Sequence, residues 1–332
     1  MARTPAEEKA WLAQVAEEIV DPERPIVDAH HHMWRDRYEL EDLWADTESG
    51  HNVEKTVFIE CRSEYREDGP VHLLPVGETE FMTRVARASR GHGRAEISAI
   101  IGYTDLSQDR ARVRAVCDAH RDASDGLFRG IRHGGAYEPG RTSLWGNPAT
   151  QPDLYTRQDF RKSVELLGEM GLVYETWHHH HQNPSFAEVA RAAPGTVMVL
   201  NHLGSPIGGG RFADPHEEVL TQWKRDVVEL AACENVTMKL GGLGMPTYHF
   251  GWHLRETPAT SDEVVATQRG YYLHAIDCFG PDRCMFESNF PVDKLSMSYH
   301  VYWNAMKKIA SGCSASEKDL LFSGTATRVY KL

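Results

Sequence analysis

Short apolar runs alternate with amphipathic stretches along nearly the whole chain. Ile26-Val27, Val57-Phe58-Ile59, Val197-Met198-Val199-Leu200 and Cys284-Met285-Phe286 are too short for helices and rich in branched residues, so they read as buried strands. Val57–Ile59 is the centre of a strand over Lys55–Cys61, and Ile97–Tyr103, Leu127–His133, Leu172–Trp177 and Val236–Leu240 carry the same signal. Between them, residues 76–90, 110–120, 158–170, 186–193, 220–232, 263–279 and 299–311 show the three- and four-residue apolar spacing of helices with one buried face. Strand and helix thus alternate eight times, which predicts an α/β protein, a single (β/α)8 TIM barrel, over an open doubly wound sheet. No Gly-x-Gly-x-x-Gly follows an early strand, and Gly208-Gly209-Gly210 has neither the lysine nor the helix start of a phosphate loop. Residues 6–20 predict an amphipathic helix, so 1–24 form an N-terminal helical extension ahead of a barrel over 25–332. The stretch after Trp34 reads as a long polar loop anchored by Tyr38, Leu43 and Trp44.

The polar residues gather just beyond the apolar part of each strand: His30 and His32, Glu60, Tyr103, Arg132 and His133, His178 to His181, His202, Lys239, and Ser288 with Asn289. In a barrel these positions converge on the C-terminal rim, where barrel enzymes keep their active sites. Strand alternation sets Asp28, His30 and His32 on one face and Ala29 and His31 on the other, so two imidazoles on one strand end are placed to share a metal ion. In the His178–His181 run, alternation selects either His178 with His180 or His179 with His181. Arg132 suits bidentate capture of a substrate carboxylate, or an ion pair with Glu60 or Glu287 inside the rim. His133, His249 and His253 read as satisfied loop histidines, and Trp34, Tyr38, Trp177, Tyr248, Phe250 and Trp252 as walls for an apolar or ring-shaped ligand.

Composition narrows the partners. The 332 residues are 41% hydrophobic and 25% charged, ordinary for a globular chain, and the formal net charge of -12 argues against nucleic acid. No apolar run is long enough to span a bilayer, and the charged N-terminus is no secretory signal. Six scattered cysteines without a Cys-x-x-Cys pair read as free thiols in a reducing, cytoplasmic setting.

Four motifs in order, Asp28-Ala29-His30-His31-His32-Met33-Trp34, Arg129-Gly130-Ile131-Arg132, Leu200-Asn201-His202-Leu203-Gly204-Ser205-Pro206 and Phe286-Glu287-Ser288-Asn289-Phe290-Pro291, resemble the amidohydrolase superfamily. The likeness is to its amidohydrolase-related branch of barrel hydrolases, which includes sugar-acid and aromatic-acid lactonases. The stretch from Glu60-Cys61 to Phe81 is similar to one uncharacterised branch of that group. The resemblance implies that His30 and His32 are the first-strand metal pair and that His202 ligates metal or polarises the substrate carbonyl. It further implies a fifth-strand histidine, His178 or His180, in catalysis or as a ligand. Two features depart from the pattern. The superfamily usually ends its eighth strand in an aspartate base, and Asn289, standing there, cannot accept a proton; Glu287, Asp293 or a histidine would take that part. The fifth strand also offers four histidines for one role.

The resulting expectation is a hydrolase of a small cyclic ester or related carboxylic acid derivative. Catalytic residues are drawn from His202, Asn289, His178 and Asp293, and substrate contacts from Arg132, Glu60, Tyr103, Trp34 and Lys239. His30, His32, His202 and His180 would hold zinc or manganese, although some lactonase relatives work without metal. The alternatives are a decarboxylase or hydratase of an aromatic or muconate-like acid, and a barrel that binds a small acid without turnover. The expected partner is the small-molecule acid or lactone; a homodimer fits the resemblance, and no nucleic-acid or membrane partner is expected.

Overall fold

A computed structural model of the chain describes residues 3–138, 151–206 and 216–332; Gly208-Gly209-Gly210 lies outside them. Eight strands follow one another around a single parallel sheet: β1 (Ile26–His31), β2 (Val53–Ile59), β3 (Glu96–Gly102), β4 (Phe128–Arg132), β5 (Val173–Thr176), β6 (Met198–Leu200), β7 (Val236–Leu240) and β8 (Cys284–Phe286). The ring is drawn together just past β8, where Asn289 N donates to His30 O at 2.9 Å, His32 N donates to Phe290 O at 2.8 Å, and His31 bridges Phe290. The architecture is a (β/α)8 barrel.

Helices α3 (Val76–Ser89), α4 (Arg110–Ala123), α5 (Gln158–Glu169), α6 (Asn183–Ala192), α7 (His216–Ala231), α8 (Ser261–Phe279) and α9 (Tyr299–Ile309) sit in the intervals where the apolar spacing predicts them. Their buried faces form an outer core with the outward side chains of the strands. The inner core is smaller and consists of Val27, Ala29, Val57, Ile59, Ala99, Ile101, Val173, Val199 and Met285. It is floored by Ala326, Val329 and Tyr330 of the C-terminal helix α11 (Thr325–Tyr330), which follows α10 (Ala315–Asp319) and a π-helical turn over Leu320–Gly324.

Two expectations fail here. The N-terminal helix α1 spans only Pro5–Leu12. Beyond it the chain is held by tertiary contacts: Val20 N donates to Asn304 Oδ1 at 2.8 Å, and Glu17 Oε1 accepts from Ser261 N at 2.8 Å. Those bonds replace the helical ones. The loop after Trp34 contains a helix, α2 (Leu40–Thr47), whose Leu43 and Trp44 are buried while four of its eight residues are acidic or polar in the way a loop is.

Beneath the rim, Lys239 Nζ donates to Glu175 Oε2 at 2.9 Å, with both side chains fully buried. Asn201 Nδ2 donates to the same oxygen at 2.9 Å, and Tyr330 from the floor helix donates to Oε1. Burial lowers the Lys239 pKa and Glu175 counters it.

Candidate active site

A cavity of about 620 Å³ opens at the C-terminal ends of the strands. Every strand end contributes: His32 and Trp34 after β1, Glu60 after β2, Tyr103 after β3, Arg132 and His133 at β4, Trp177 after β5, His202 after β6, Met245 after β7 and Asn289 after β8.

The histidines are placed by a break in the strand. Between Asp28 and His31 the pairing of β1 with β2 slips, so strict alternation fails. Asp28 does not share a face with His30 and His32, contrary to the expectation above. Its carboxylate instead accepts from Ser288 N at 2.8 Å and Tyr299 OH at 2.9 Å, and burial pushes its pKa up to about 6. His31 packs edge-on against Phe58 in the outer core.

His30 and His32 meet with their Nε2 atoms 3.1 Å apart. Hydrogen bonding fixes the tautomers of His32 and His202. His32 Nδ1 donates to Ile59 O at 2.8 Å, and His202 Nδ1 donates to Glu287 Oε1 at 2.7 Å, so each carries its proton on Nδ1 and a lone pair on Nε2. His30 Nδ1 lies 2.6 Å from Glu287 Oε2, off the line of an N–H···O bond, and both atoms are buried without a hydrogen-bond partner. One fully buried carboxylate therefore stands behind two imidazoles. Burial holds His30 and His32 well below the usual histidine range, with cationic neighbours Lys239 for His30 and Arg132 for His32 adding to it. Both rings are neutral at physiological pH, as metal ligands must be.

The His32 lone pair faces His30 Nε2 at 3.1 Å, where it can accept from His30 or share a cation with it. Nitrogens on one tetrahedral zinc at about 2.0–2.1 Å stand roughly 3.3 Å apart. The His30 ring is 4.8 Å from that of His202, and His30, His202 and Glu287 form a group whose ligand atoms lie within 4.8 Å of one another. The spacing of the imidazole nitrogens and the absence of thiol ligands among the described residues fit a divalent cation such as zinc or manganese.

The glycines after β7 make room for this. A Cβ on Gly241 would fall 2.1 Å from Glu287 O, and one on Gly242, at φ 72°, would fall 2.2 Å from His202 Nδ1. Neither position admits a side chain without displacing Glu287 or His202.

The Arg132 guanidinium is already engaged: Nε donates to Glu60 Oε1 at 2.8 Å, a second nitrogen donates to Glu60 O, and Nη1 stands 3.4 Å from His30 Nε2. Glu60 Oε2 is buried without a hydrogen-bond partner. Behind it, burial and then the charge of Glu60 push Glu78 up to about 8. Asn289 Nδ2 donates to Asp293 Oδ1 at 2.8 Å, and Gly244 N donates to Asp293 Oδ2 at 2.8 Å. Asp293 thus orients the amide, and burial raises its own pKa to about 8.

Of the residues singled out in the sequence, His32, His202, Glu60, Tyr103, Trp34, Arg132 and Asn289 line the cavity, and His30 lies against His32 and His202. His178, His180, Lys239 and Asp293 are not among the lining residues. His178 is held between Tyr155 OH and Asn183 Oδ1, each at 2.8 Å, and His180 N donates to Ser205 O. Sequence reasoning treated His133 as a loop residue, and the structure sets it in the cavity wall, with Nδ1 accepting from Leu106 N at 3.1 Å. From the sequence, Glu287 is a stand-in base or an ion-pair partner for Arg132; the structure gives Arg132 to Glu60 and turns Glu287 to the histidines. Its joint role depends on two strands meeting, which no local spacing reports.

The family model described as amidohydrolase matches residues 27–332. The uncharacterized protein y4mH of Sinorhizobium fredii is 31% identical over 296 residues, covering 89% of this chain and 86% of its own. L-fucono-1,5-lactonase of Burkholderia multivorans is 28% identical over 258 residues, 77% of each chain. A crystal structure of an amidohydrolase from Burkholderia multivorans with bound zinc superposes with a TM-score of 0.70 at 23% identity, covering 92% of this chain and 99% of that one.

Proposed function

Because the chain belongs to the amidohydrolase family, we propose that it hydrolyses a small cyclic ester, a lactone, at the rim cavity. The observation that carries the reading is the pair of neutral imidazoles, His30 and His32, at ligand spacing beside the Glu287-backed His202. The lactonase relative and the zinc-bound structural neighbour support it. His30, His32 and His202 would hold the divalent ion, which when bound supplies polarisation of the ester carbonyl and a lowered pKa for water.

The chain's own groups do the rest. Asn289 cannot take the proton of the attacking water, and Asp293 is turned onto its amide. Glu60 takes the proton at Oε2, the carboxylate oxygen left without a partner, while Arg132 holds Oε1 and keeps the negative charge in place. The same oxygen returns the proton to the ring oxygen as the acyl–oxygen bond breaks. Trp34 and Trp177 wall the ring and limit water.

Glu60→Gln is expected to lower kcat by about 10²–10⁴ with KM little changed, the usual range for a lost general base. The decisive assay follows sugar-acid and aromatic-acid lactones in a pH-stat. One proton released per ring opened, without carbon dioxide, supports hydrolysis. Carbon dioxide release from an aromatic acid, or no ring opening across the panel, refutes it.

A further inference from the structure

The cavity mouth carries two cations that the scheme above does not use. Arg37, after β1, and Arg62, after β2, both line the cavity and are both exposed. Neither has a carboxylate partner among the described residues. Their neighbours in the same two loops do: Arg35 pairs with Glu64 and Arg66 with Glu80. The outward arginines are neutralised and the inward ones are not, in a chain whose formal net charge is -12.

The surroundings of Arg62 are those of an anion site. Its guanidinium lies 5.6 Å from the Tyr103 ring centroid. His133, edge-on to the same ring at 5.6 Å, accepts on Nδ1 from Leu106 N and therefore carries its proton on Nε2 as a donor. The opposing carboxylate at this wall, Asp105, spends Oδ1 on Ser107 N at 2.9 Å and Ser107 Oγ at 2.6 Å. Arg132, the arginine best placed by sequence to seize a substrate carboxylate, is committed to Glu60.

We propose that the cavity selects a ring-shaped ligand bearing a carboxylate, which Arg62 anchors beside Tyr103 and His133, with Arg37 adding charge at the mouth. The assignment rests on reading this cavity as the substrate site, and it narrows the substrate to an acidic cyclic ester rather than a neutral one. A guanidinium that reaches a carboxylate in a partly enclosed site forms charge-assisted bonds, and its aromatic neighbour restrains it.

The test is calorimetric binding of isophthalate, a ring dicarboxylate, against isophthalamide, its neutral counterpart of the same shape, on the full-length protein. Isophthalate is expected to bind at least about tenfold more tightly, in line with hydrogen bonds to charged groups. Arg62→Gln is expected to remove that advantage, Arg37→Gln to remove part of it, and Arg35→Gln, at a paired arginine outside the cavity, to leave it. Circular dichroism of the variants checks folding. Equal binding of the two probes, binding of neither, or an isophthalate advantage untouched by Arg62→Gln overturns the proposal. The readout needs no turnover. Protein that binds isophthalate as described but opens no lactone sinks the hydrolase reading and leaves the anion site standing.

Discussion

At the scale of single residues, Glu287 organises the candidate site, since its two oxygens face Nδ1 of His30 and of His202 from full burial. Carboxylates behind ligating histidines set ring orientation and basicity, and their loss typically costs 10–100-fold in metal affinity. Glu287→Gln is therefore expected to weaken zinc binding by about that factor, read by competition with a chromogenic chelator, and unchanged affinity would remove Glu287 from the site. A different single residue governs acid stability. His120 accepts from Thr79 Oγ1 on Nδ1 at 2.8 Å and donates from Nε2 to Tyr103 O at 3.0 Å. Burial, with the nearby Arg66 charge, lowers its pKa to about 4 against the opposing Tyr103 bond and Glu80 charge. A histidine lowered on folding binds its proton less well in the native state than in the unfolded one. Its contribution is complete above the unfolded value near 6.5 and is lost as pH falls through 4. At about 1.4 kcal/mol per pH unit, the loss is roughly 3 kcal/mol. Urea unfolding at pH 7 and pH 4.5 should show a smaller drop for His120→Gln, whose amide can donate and accept at the same two places, than for the unmodified chain.

At the scale of elements, the barrel interior is sealed from below by α11, and the seal is polar at its centre. Lys239 of β7, Asn201 after β6 and Tyr330 of α11 all bond to Glu175 of β5. Removing one partner of a buried ion pair strands the other charge at a cost of about 3–5 kcal/mol. Lys239→Met should lower stability by that amount in urea, and adding Glu175→Gln should recover part of it; a variant as stable as the parent would show that Glu175 is not charged there. The strands and long helices of this layer were legible because a period of two or of 3.6 records a buried face directly. Residues 13–20 read as helix because their composition allows one, but bonds to the Asn304 side chain and from the Ser261 backbone, 284 and 244 residues away, decide otherwise. Leu40–Thr47 was hidden for the converse reason: with Leu40, Leu43, Trp44 and Ala45 as its apolar residues, eight positions give too few turns to show a period.

At the scale of the whole molecule, the long and apolar helix that a membrane crossing needs is absent among the described residues. All six cysteines are free thiols. A metal bound at the rim would couple to global stability, because the residues that would hold it come from the ends of β1 and β6, far apart in the chain, and meet only when the barrel forms. Ligand at a hundred times its Kd adds about 2.7 kcal/mol. Zinc added to chelator-treated protein is therefore expected to raise Tm by several degrees, and the His30→Ala/His32→Ala variant to show no rise. A Tm that zinc leaves unchanged in the parent would remove the metal from the rim.

The sequence by itself determined the eight-fold alternation, the rim as the place where polar residues collect, and the pairing of His30 with His32, because each is written in local spacing. The tertiary structure decided what those residues are for. Asp28 leaves the histidine face because β1 slips against β2. Arg132 turns from the open cavity to Glu60, a strand pair away, and Glu287 joins histidines from two strands that lie far apart in the chain. The physical reason is the same in each case. Periodicity reports which face of an element is buried, whereas the partner of a buried charge is chosen by whichever strand ends closure of the barrel brings within hydrogen-bond reach.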